Sequence, residues 1–365
     1  QDIYIYIYGT KMNLLFRCDG NLKIGIGHVM RCKTLAIVMR NLGCNVIWVM
    51  QNRSDEFAEE LLSVGFTVHY VDHYENFVTG DLMLEDAKET VMIAEKYQVD
   101  IVVVDHYGAN SDYLNFIGSR DLKLAVIGLG GDSSRDLRSA DWFLNQNLGA
   151  SKLDYQVRSD CVCLLGPTYA LLRKQFVEAR TDLTRKFNRD DNRILVTLGG
   201  GDMTYHYPMI LEAFMFLDIG LDVRFIVRRS DSLELFSTQM SSINQHKITI
   251  LENVEDMASH MVWADLSINA GGSTCWELSC LGLPMIILVV SDDQILSAQE
   301  LHGQGCGIAL DNLDSSLRSR DLCNLLIKLI ANIQQRSEMS LRSKSLVDGN
   351  GATRVAESLM SLGSN

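Results

Sequence analysis

Proline is scarce in this chain, 3 in 365 residues, and no apolar run approaches the ~18–20 residues of a membrane span. With only 27 glycines beside those prolines, collagen-like and proline-rich disordered readings are excluded. Basic excess is also missing. Lys and Arg number 33 against 46 Asp and Glu, a net charge of −13, which excludes a nucleic-acid groove lined by cations. An anionic small molecule would have to be met locally, by backbone N–H groups, helix N-termini and a few arginines. The nine cysteines include no C-x-x-C pair: Cys161 and Cys163 are two apart, Cys275 and Cys280 five apart. That spacing argues against a disulfide framework or a metal site, so buried packing thiols are expected, with no metal and no cofactor. Residues 1–11 lack the basic start and cleavage site of a signal peptide. They are expected to be an extension outside the fold of a cytoplasmic protein.

What the chain does have is apolar content, 47% of residues, enough for two cores. From Met12 onward apolar runs of strand length alternate with stretches of helical period. Asn13–Phe16, Asn45–Met50, Thr67–Val71, Ile101–Val104, Leu124–Ile127, Trp142–Leu144 and Val162–Leu165 read as strands, with helices such as Val29–Leu42, Glu56–Val64 and Leu82–Tyr97 between them. Unbroken Val/Ile runs imply strands covered on both faces, hence parallel α/β sheets. The charged stretch 181–193 interrupts this rhythm and is expected to link an N-terminal Rossmann-like domain, 12–180, to a C-terminal one, 194–365. The fold class expected is α/β, two Rossmann-like domains facing across a cleft, with ligands at the carboxyl ends of the strands.

Four motifs lie at those ends. Asp19 follows the first strand, and Gly25-Ile26-Gly27-His28 opens the next helix. The helix dipole there favours the neutral imidazole that a general base needs; the alternative is a histidine that caps or packs. Asp105-His106-Tyr107 ends a buried strand. Asp105 would orient His28, bind a sugar hydroxyl or merely cap a turn, and Tyr107 would stack on a sugar or pack. Arg173, in Gly166-Pro-Thr-Tyr-Ala-Leu-Leu-Arg173, is placed to clamp a phosphate or to form a structural salt bridge. Strongest is Asn269-Ala-Gly271-Gly272-Ser273-Thr274-Cys-Trp-Glu277, a strand running into a glycine turn that opens a helix. Its N–H groups and hydroxyls suit a diphosphate, and Glu277 a ribose, although Glu277 would also close a capping box. Ser291-Asp-Asp-Gln294 and Gly199-Gly-Gly-Asp202 add polar loops at the same edge, with Gln294 within reach of sugar or phosphate.

Together, in order and spacing from Met12 to Leu359, these motifs resemble the glycosyltransferase-B architecture. They include I-G-x-G-H-x-x-R, V-D-H-Y, G-P-x-Y-A-L-L-R and A-G-G-S-T-x-W-E. More narrowly they resemble the UDP-2,4-diacetamido-2,4,6-trideoxy-β-L-altropyranose hydrolases of pseudaminic acid biosynthesis. The resemblance implies a metal-independent UDP-sugar hydrolase in which His28 activates water. It implies that Asp19, Asp105 and Tyr107 shape the sugar site, and that Arg173 and the 271–277 loop hold UDP, with Glu277 on the ribose. The chain departs from the family at Gly128-Leu-Gly-Gly-Asp132, where paired acidic residues are usual, and at Asp293, where Asn is usual. Two other functions fit the same residues: an inverting glycosyltransferase of the spore-coat polysaccharide type, and a non-catalytic nucleotide-sugar-binding protein. Release of free sugar without acceptor separates the first from a hydrolase. The second predicts UDP binding without turnover.

Overall fold

The structure, a computed structural model, describes residues 12–20, 27–51, 55–71, 80–128, 133–181, 183–188, 190–199, 203–227, 245–311 and 319–363. The 1–11 extension, Gly25, the glycines of the 128–132 departure beyond Gly128, and Gly200–Asp202 lie outside them. Two compact units form: residues through Arg173 joined by those from Asn350 onward, and Lys174–Gly349.

In the first unit the elements run β1 (Asn13–Cys18), α1 (Gly27–Asn41), β2 (Asn45–Gln51), α2 (Asp55–Ser63), β3 (Thr67–Val71), α3 (Gly80–Lys96) and β4 (Ile101–Asp105). There follow α4 (Ser111–Gly118), β5 (Lys123–Ile127), β6 (Trp142–Asn145) and β7 (Val162–Leu165). All strand pairs of this sheet are parallel, in the order β3-β2-β1-β4-β5-β6-β7. The inner strands β1, β2, β4, β5 and β6 are buried on both faces, as their unbroken apolar runs require, while the edge strands β3 and β7 are partly exposed. Period-two alternation sorts β1 accordingly. Leu14, Phe16 and Cys18 join the core beneath α1, and Leu15 joins the opposite core with Val49, Val102 and Val104. After β3 the chain returns past β1 to β4, so the strand order reverses between β1 and β4. The carboxyl ends of those two strands flank the crevice where open α/β sheets bind ligands.

The second unit repeats the plan with α5 (Lys174–Thr181), β8 (Arg193–Thr197), α6 (Tyr207–Met215), β9 (Asp222–Val227), β10 (Lys247–Glu252), α7 (Met257–Trp263), β11 (Leu266–Ala270) and α8 (Thr274–Leu281). It continues through β12 (Met285–Val289), α9 (Ile295–Gly303), β13 (Ile308–Asp311), α10 (Ser319–Ala331) and α11 (Ile333–Leu346). Its sheet order is β10-β9-β8-β11-β12-β13, again parallel, with the reversal between β8 and β11.

Two boundaries differ from those expected. The terminal helix α12 (Gly351–Gly363) belongs to the first unit: Val355, Ala356, Leu359 and Met360 enter the core of Leu14, Phe16 and Trp48. Ser358 Oγ also accepts a hydrogen bond from Trp142 Nε1, 2.9 Å away. An amphipathic pattern says that a helix has an apolar face, not which sheet will cover it. The stretch expected to link the units is bound to the second one. Arg185 donates to Leu281 O (2.9 Å), Ala264 O (2.7 Å) and Met261 O (2.5 Å), satisfying carbonyls at the ends of α7 and α8. Burial pulls this guanidinium's pKa down to about 10, against the rise from Asp265.

Seven cysteines are buried as expected, but Cys161 is half-buried and Cys163 exposed, because β7 is an edge strand. No helix among the described residues is long and apolar enough to cross a membrane. Leu359 is fully buried, and Leu359→Ala is expected to cost about 2–5 kcal/mol. Denaturant unfolding followed by hydrogen exchange should show protection lost first in β1 and β2, not in β8 and β11.

Candidate functional site

At the β1/β4 reversal, register sets Cys18 opposite Asp105, so the residues leaving the two strands emerge side by side. Asp105 is 1% exposed and carries four contacts. Its Oδ1 lies 2.6 Å from His28 Nδ1 and 2.5 Å from Arg31 Nη2, and its Oδ2 accepts from Arg31 Nε at 2.6 Å and Cys32 Sγ at 3.3 Å. Burial opposes ionisation, but Arg31 and then His28 hold the carboxyl well below the usual carboxylate range. An ionised Asp105 only accepts, so the 2.6 Å contact places a proton on His28 Nδ1 and leaves Nε2 as the basic nitrogen. His28 itself is 8% exposed, on the first turn of α1, with the Tyr107 ring edge-on at 4.7 Å between centroids. Tyr107 is 43% exposed. Both Asp105 oxygens are engaged within the protein, one of them on His28.

Asp19, beside it, is also buried. It is 2% exposed, and both oxygens are occupied within the protein. Oδ1 accepts Gln51 N–H at 2.8 Å, while Oδ2 lies 2.7 Å from Arg17 Nη1 and 2.8 Å from His106 Nε2. His106 Nδ1 accepts the Gly108 N–H at 2.9 Å, which puts its proton on Nε2, toward Asp19. Arg17, fully buried, turns Nε and Nη2 to Asp86 at 2.9 and 2.6 Å, and Tyr113 Oη donates to Asp86 Oδ1 at 2.9 Å. Asp19 thereby ties the end of β1 to the Asp105–Tyr107 turn through His106. Sequence alone assigns no role to Arg17, Arg31 or Asp86. The available signals were a charge inside an apolar strand, which demands a buried partner, and the i, i+3 spacing that sets His28 and Arg31 on one helix face. Asp86, distant on α3, has no such signal.

Cys18, Cys32 and Asp105 bring potential ligand atoms within 4.8 Å of one another. Arg31 already covers both carboxylate oxygens, and burial pushes both thiols up, away from thiolate, so this set is a poor host for a cation.

In the second unit, register pairs Thr197 with Asn269 at the β8/β11 reversal, and the chain leaves β11 through Gly271 and Gly272 into α8. Gln294 reaches this turn from the loop after β12. Its Oε1 accepts Gly271 N–H at 3.0 Å and Val290 N–H at 3.2 Å, tying two loops together, and a Cβ at Gly271 would stand 3.0 Å from Gln294 Cβ. The Gly271 N–H is thus spent within the protein. Gly272 has neither constraint: a Cβ there meets nothing within 4 Å, and its φ is not positive. Ser273, exposed, makes no side-chain capping bond, and the first turn closes on backbone carbonyls instead, Cys275 N–H and Trp276 N–H donating to Gly272 O and Ser273 O at 3.0 Å. Glu277 is half-buried on the first turn. Arg173, half-buried, is the last residue before the second unit begins.

Comparison with known proteins joins these observations. MurG of Acinetobacter baumannii superposes with a TM-score of 0.68 at 15% identity, over 96% of this chain and 99% of that one. The fold is glycosyltransferase-B. Residues 208–358 match the model of the glycosyltransferase family 28 C-terminal domain, a span that contains the whole 271–277 loop. The spore coat polysaccharide biosynthesis protein SpsG of Bacillus subtilis is 25% identical over 346 residues, 94% of this chain and 96% of that protein. The pseudaminic acid cytidylyltransferase and UDP-2,4-diacetamido-2,4,6-trideoxy-beta-L-altropyranose hydrolase of Helicobacter pylori is 23% identical over 300 residues. That alignment covers 82% of this chain but only 48% of the relative, about half its length.

For Asp19, burial alone would raise the carboxyl, but Arg17 and His106 hold it below the usual range. Its folded-state pKa is depressed, so its contribution to stability is complete above roughly pH 4–5 and is lost as the pH falls further. Asp19→Asn is expected to cost about 3–5 kcal/mol at pH 7, the scale of a broken buried ion pair, and to shallow the acid-side loss. Thermal unfolding from pH 3 to 7 measures both; parallel curves for variant and wild type would remove Asp19 as the source.

Proposed function

We propose that the chain is an enzyme that hydrolyses the sugar–diphosphate bond of a UDP-linked diacetamido-trideoxy sugar, releasing UDP and the free sugar. The observation that carries this reading is the His28–Asp105 pair at the strand-order reversal of the first unit, where the 2.6 Å contact to Nδ1 leaves Nε2 to act as base. Nε2 takes a proton from water as the water oxygen bonds to the anomeric carbon. The carbon–oxygen bond to the diphosphate breaks in the same step, and its electron pair departs on UDP. Tyr107, partly exposed beside the imidazole, offers an aromatic face for the sugar.

In this reading the second unit holds the nucleotide. The N–H groups at the start of α8 and the Ser273 and Thr274 hydroxyls receive the diphosphate and absorb the charge it gains on leaving. Gly272 supports the assignment, since its missing side chain relieves no internal crowding and leaves room for a ligand to approach the backbone. Glu277 accepts the ribose hydroxyls, and Arg173 clamps a phosphate. Gly271 and Gln294 shape the loop from behind. The kinship with the Helicobacter pylori protein supports hydrolysis and this sugar class. The longer alignment with the spore-coat protein supports a second reading, an inverting transferase in which a sugar hydroxyl replaces water and the same base serves.

Incubated with the UDP-sugar and no acceptor, the protein should accumulate UDP and free sugar in equal amounts. UDP that appears only when an acceptor glycan is added would establish the transferase instead. His28→Ala should abolish turnover with UDP affinity intact, and full activity in that variant would end the assignment of the base. Glu277→Ala should weaken UDP binding by about 1–3 kcal/mol, on the scale of a charge-assisted hydrogen bond, as read by titration calorimetry.

A further inference from the structure

Arg31 lies one turn after His28 on α1 and faces the same carboxylate. Its guanidinium forks onto Asp105 through Nε and Nη2, at 2.6 and 2.5 Å. The two hydrogens of Nη2 are both accounted for, one on Asp105 Oδ1 and the other on Gly128 O at 3.4 Å. The 3.1 Å approach of Nη2 to His28 Nδ1 is therefore a contact between a fixed positive charge and the imidazole, not a hydrogen bond to it. The side chain is 11% exposed, so little solvent screens that charge.

This arrangement has a consequence that an Asp–His pair alone would not have. An unopposed buried carboxylate 2.6 Å from the ring strongly favours the imidazolium, which is useless as a base. A cation at 3.1 Å opposes it. The other groups facing His28 among the described residues are Tyr107 from the loop after β4, and Cys32 of α1 with Cys18 of β1, reached through Asp105. Neither thiol is ionised, since burial pushes both up, so Arg31 is the described group whose charge balances Asp105. Asp105 in turn keeps the guanidinium charged despite its burial.

We propose that Arg31 is a positioning residue: it locks Asp105 against Nδ1 of His28 and offsets the pull of that carboxylate on the proton the imidazole must be free to accept. The inference rests on the reading of His28 as the base, but it can be tested without turnover. In the ligand-free protein with ¹⁵N-labelled histidine, assigned by its loss in His28→Asn, the His28 signals report tautomer and titration directly. In Arg31→Met, which removes the charge and keeps the length, the His28 midpoint should rise by about 1 pH unit or more, as removal of an adjacent cation requires. If the protein turns over UDP-sugar, the acidic limb of its kcat/KM profile should rise by the same amount, with the alkaline plateau largely retained. In Arg31→Lys, which keeps the charge and loses the fork, the midpoint should stay near wild type while the Nδ1–H signature weakens. Unchanged His28 titration and tautomer in Arg31→Met would overturn the proposal. Should that variant fail to fold, a wild-type tautomer signature in Arg31→Lys would overturn it equally. Absence of turnover with the expected shifts in the His28 signals would sink the hydrolase reading and leave the role of Arg31 standing.

Discussion

The first unit's site depends on one buried carboxylate kept ionised. Asp105 sits at the last position of β4 with almost no solvent, a placement that would cost several kcal/mol unless both oxygens were fully met. Arg31, His28 and Cys32, all on the first turns of α1, meet them. That single demand fixes where α1 starts relative to β4, which nitrogen of His28 carries its proton, and which nitrogen remains for chemistry. Directly alongside, Asp19 at the end of β1 imposes the same demand on Arg17 and His106. Two adjacent anions, each satisfied by cations and donors of the fold, make the carboxyl edge of β1 and β4 a rigid polar platform within an apolar unit.

Both sheets share one order over six strands, the first adding a seventh at its edge, and reverse it at the same place, between the first and fourth strands of each. The reversal parts the crossover helices on the two sides, so loops there are exposed while their anchoring strands stay buried. In the first unit the crevice is furnished with titratable groups. In the second it is furnished with glycine, hydroxyls and a helix start, and Gln294 stiffens it by taking two backbone N–H groups. One scaffold thus supplies two different chemistries through loop composition alone.

The strands and the crossover helices were legible in the sequence, because buried parallel strands announce themselves as continuous apolar runs; that Asp105 meets His28 was one of three alternatives there, since the pattern shows only that polar residues ending a strand fall at the ligand edge. The partners on which a polar group is spent were not legible there. Asp19 and Gln294 lie in the right loops but point inward, toward Arg17 and toward backbone N–H groups. Thr274 and Glu277 have capping-box spacing, yet the helix takes Ser273 as its N-cap, and that side chain makes no capping bond. Arg185 fell in a stretch that reads as a solvated linker, and it is buried on three carbonyls of α7 and α8. Motif spacing specifies which residues gather at an edge; it carries no information on which partners saturate them.

Local pattern alone determined the parallel α/β class, the two-part organisation and the glycine turn that opens α8, since each follows from periodicity or from neighbours within a few residues. Only the tertiary structure decided that α12 completes the first unit's core, that Asp86 on α3 neutralises Arg17 on β1, and that Arg31 shares Asp105 with His28. Those are long-range pairings between elements 60 residues or more apart, chosen by burial and charge balance across the folded sheet, and no window along the chain contains both members of such a pair.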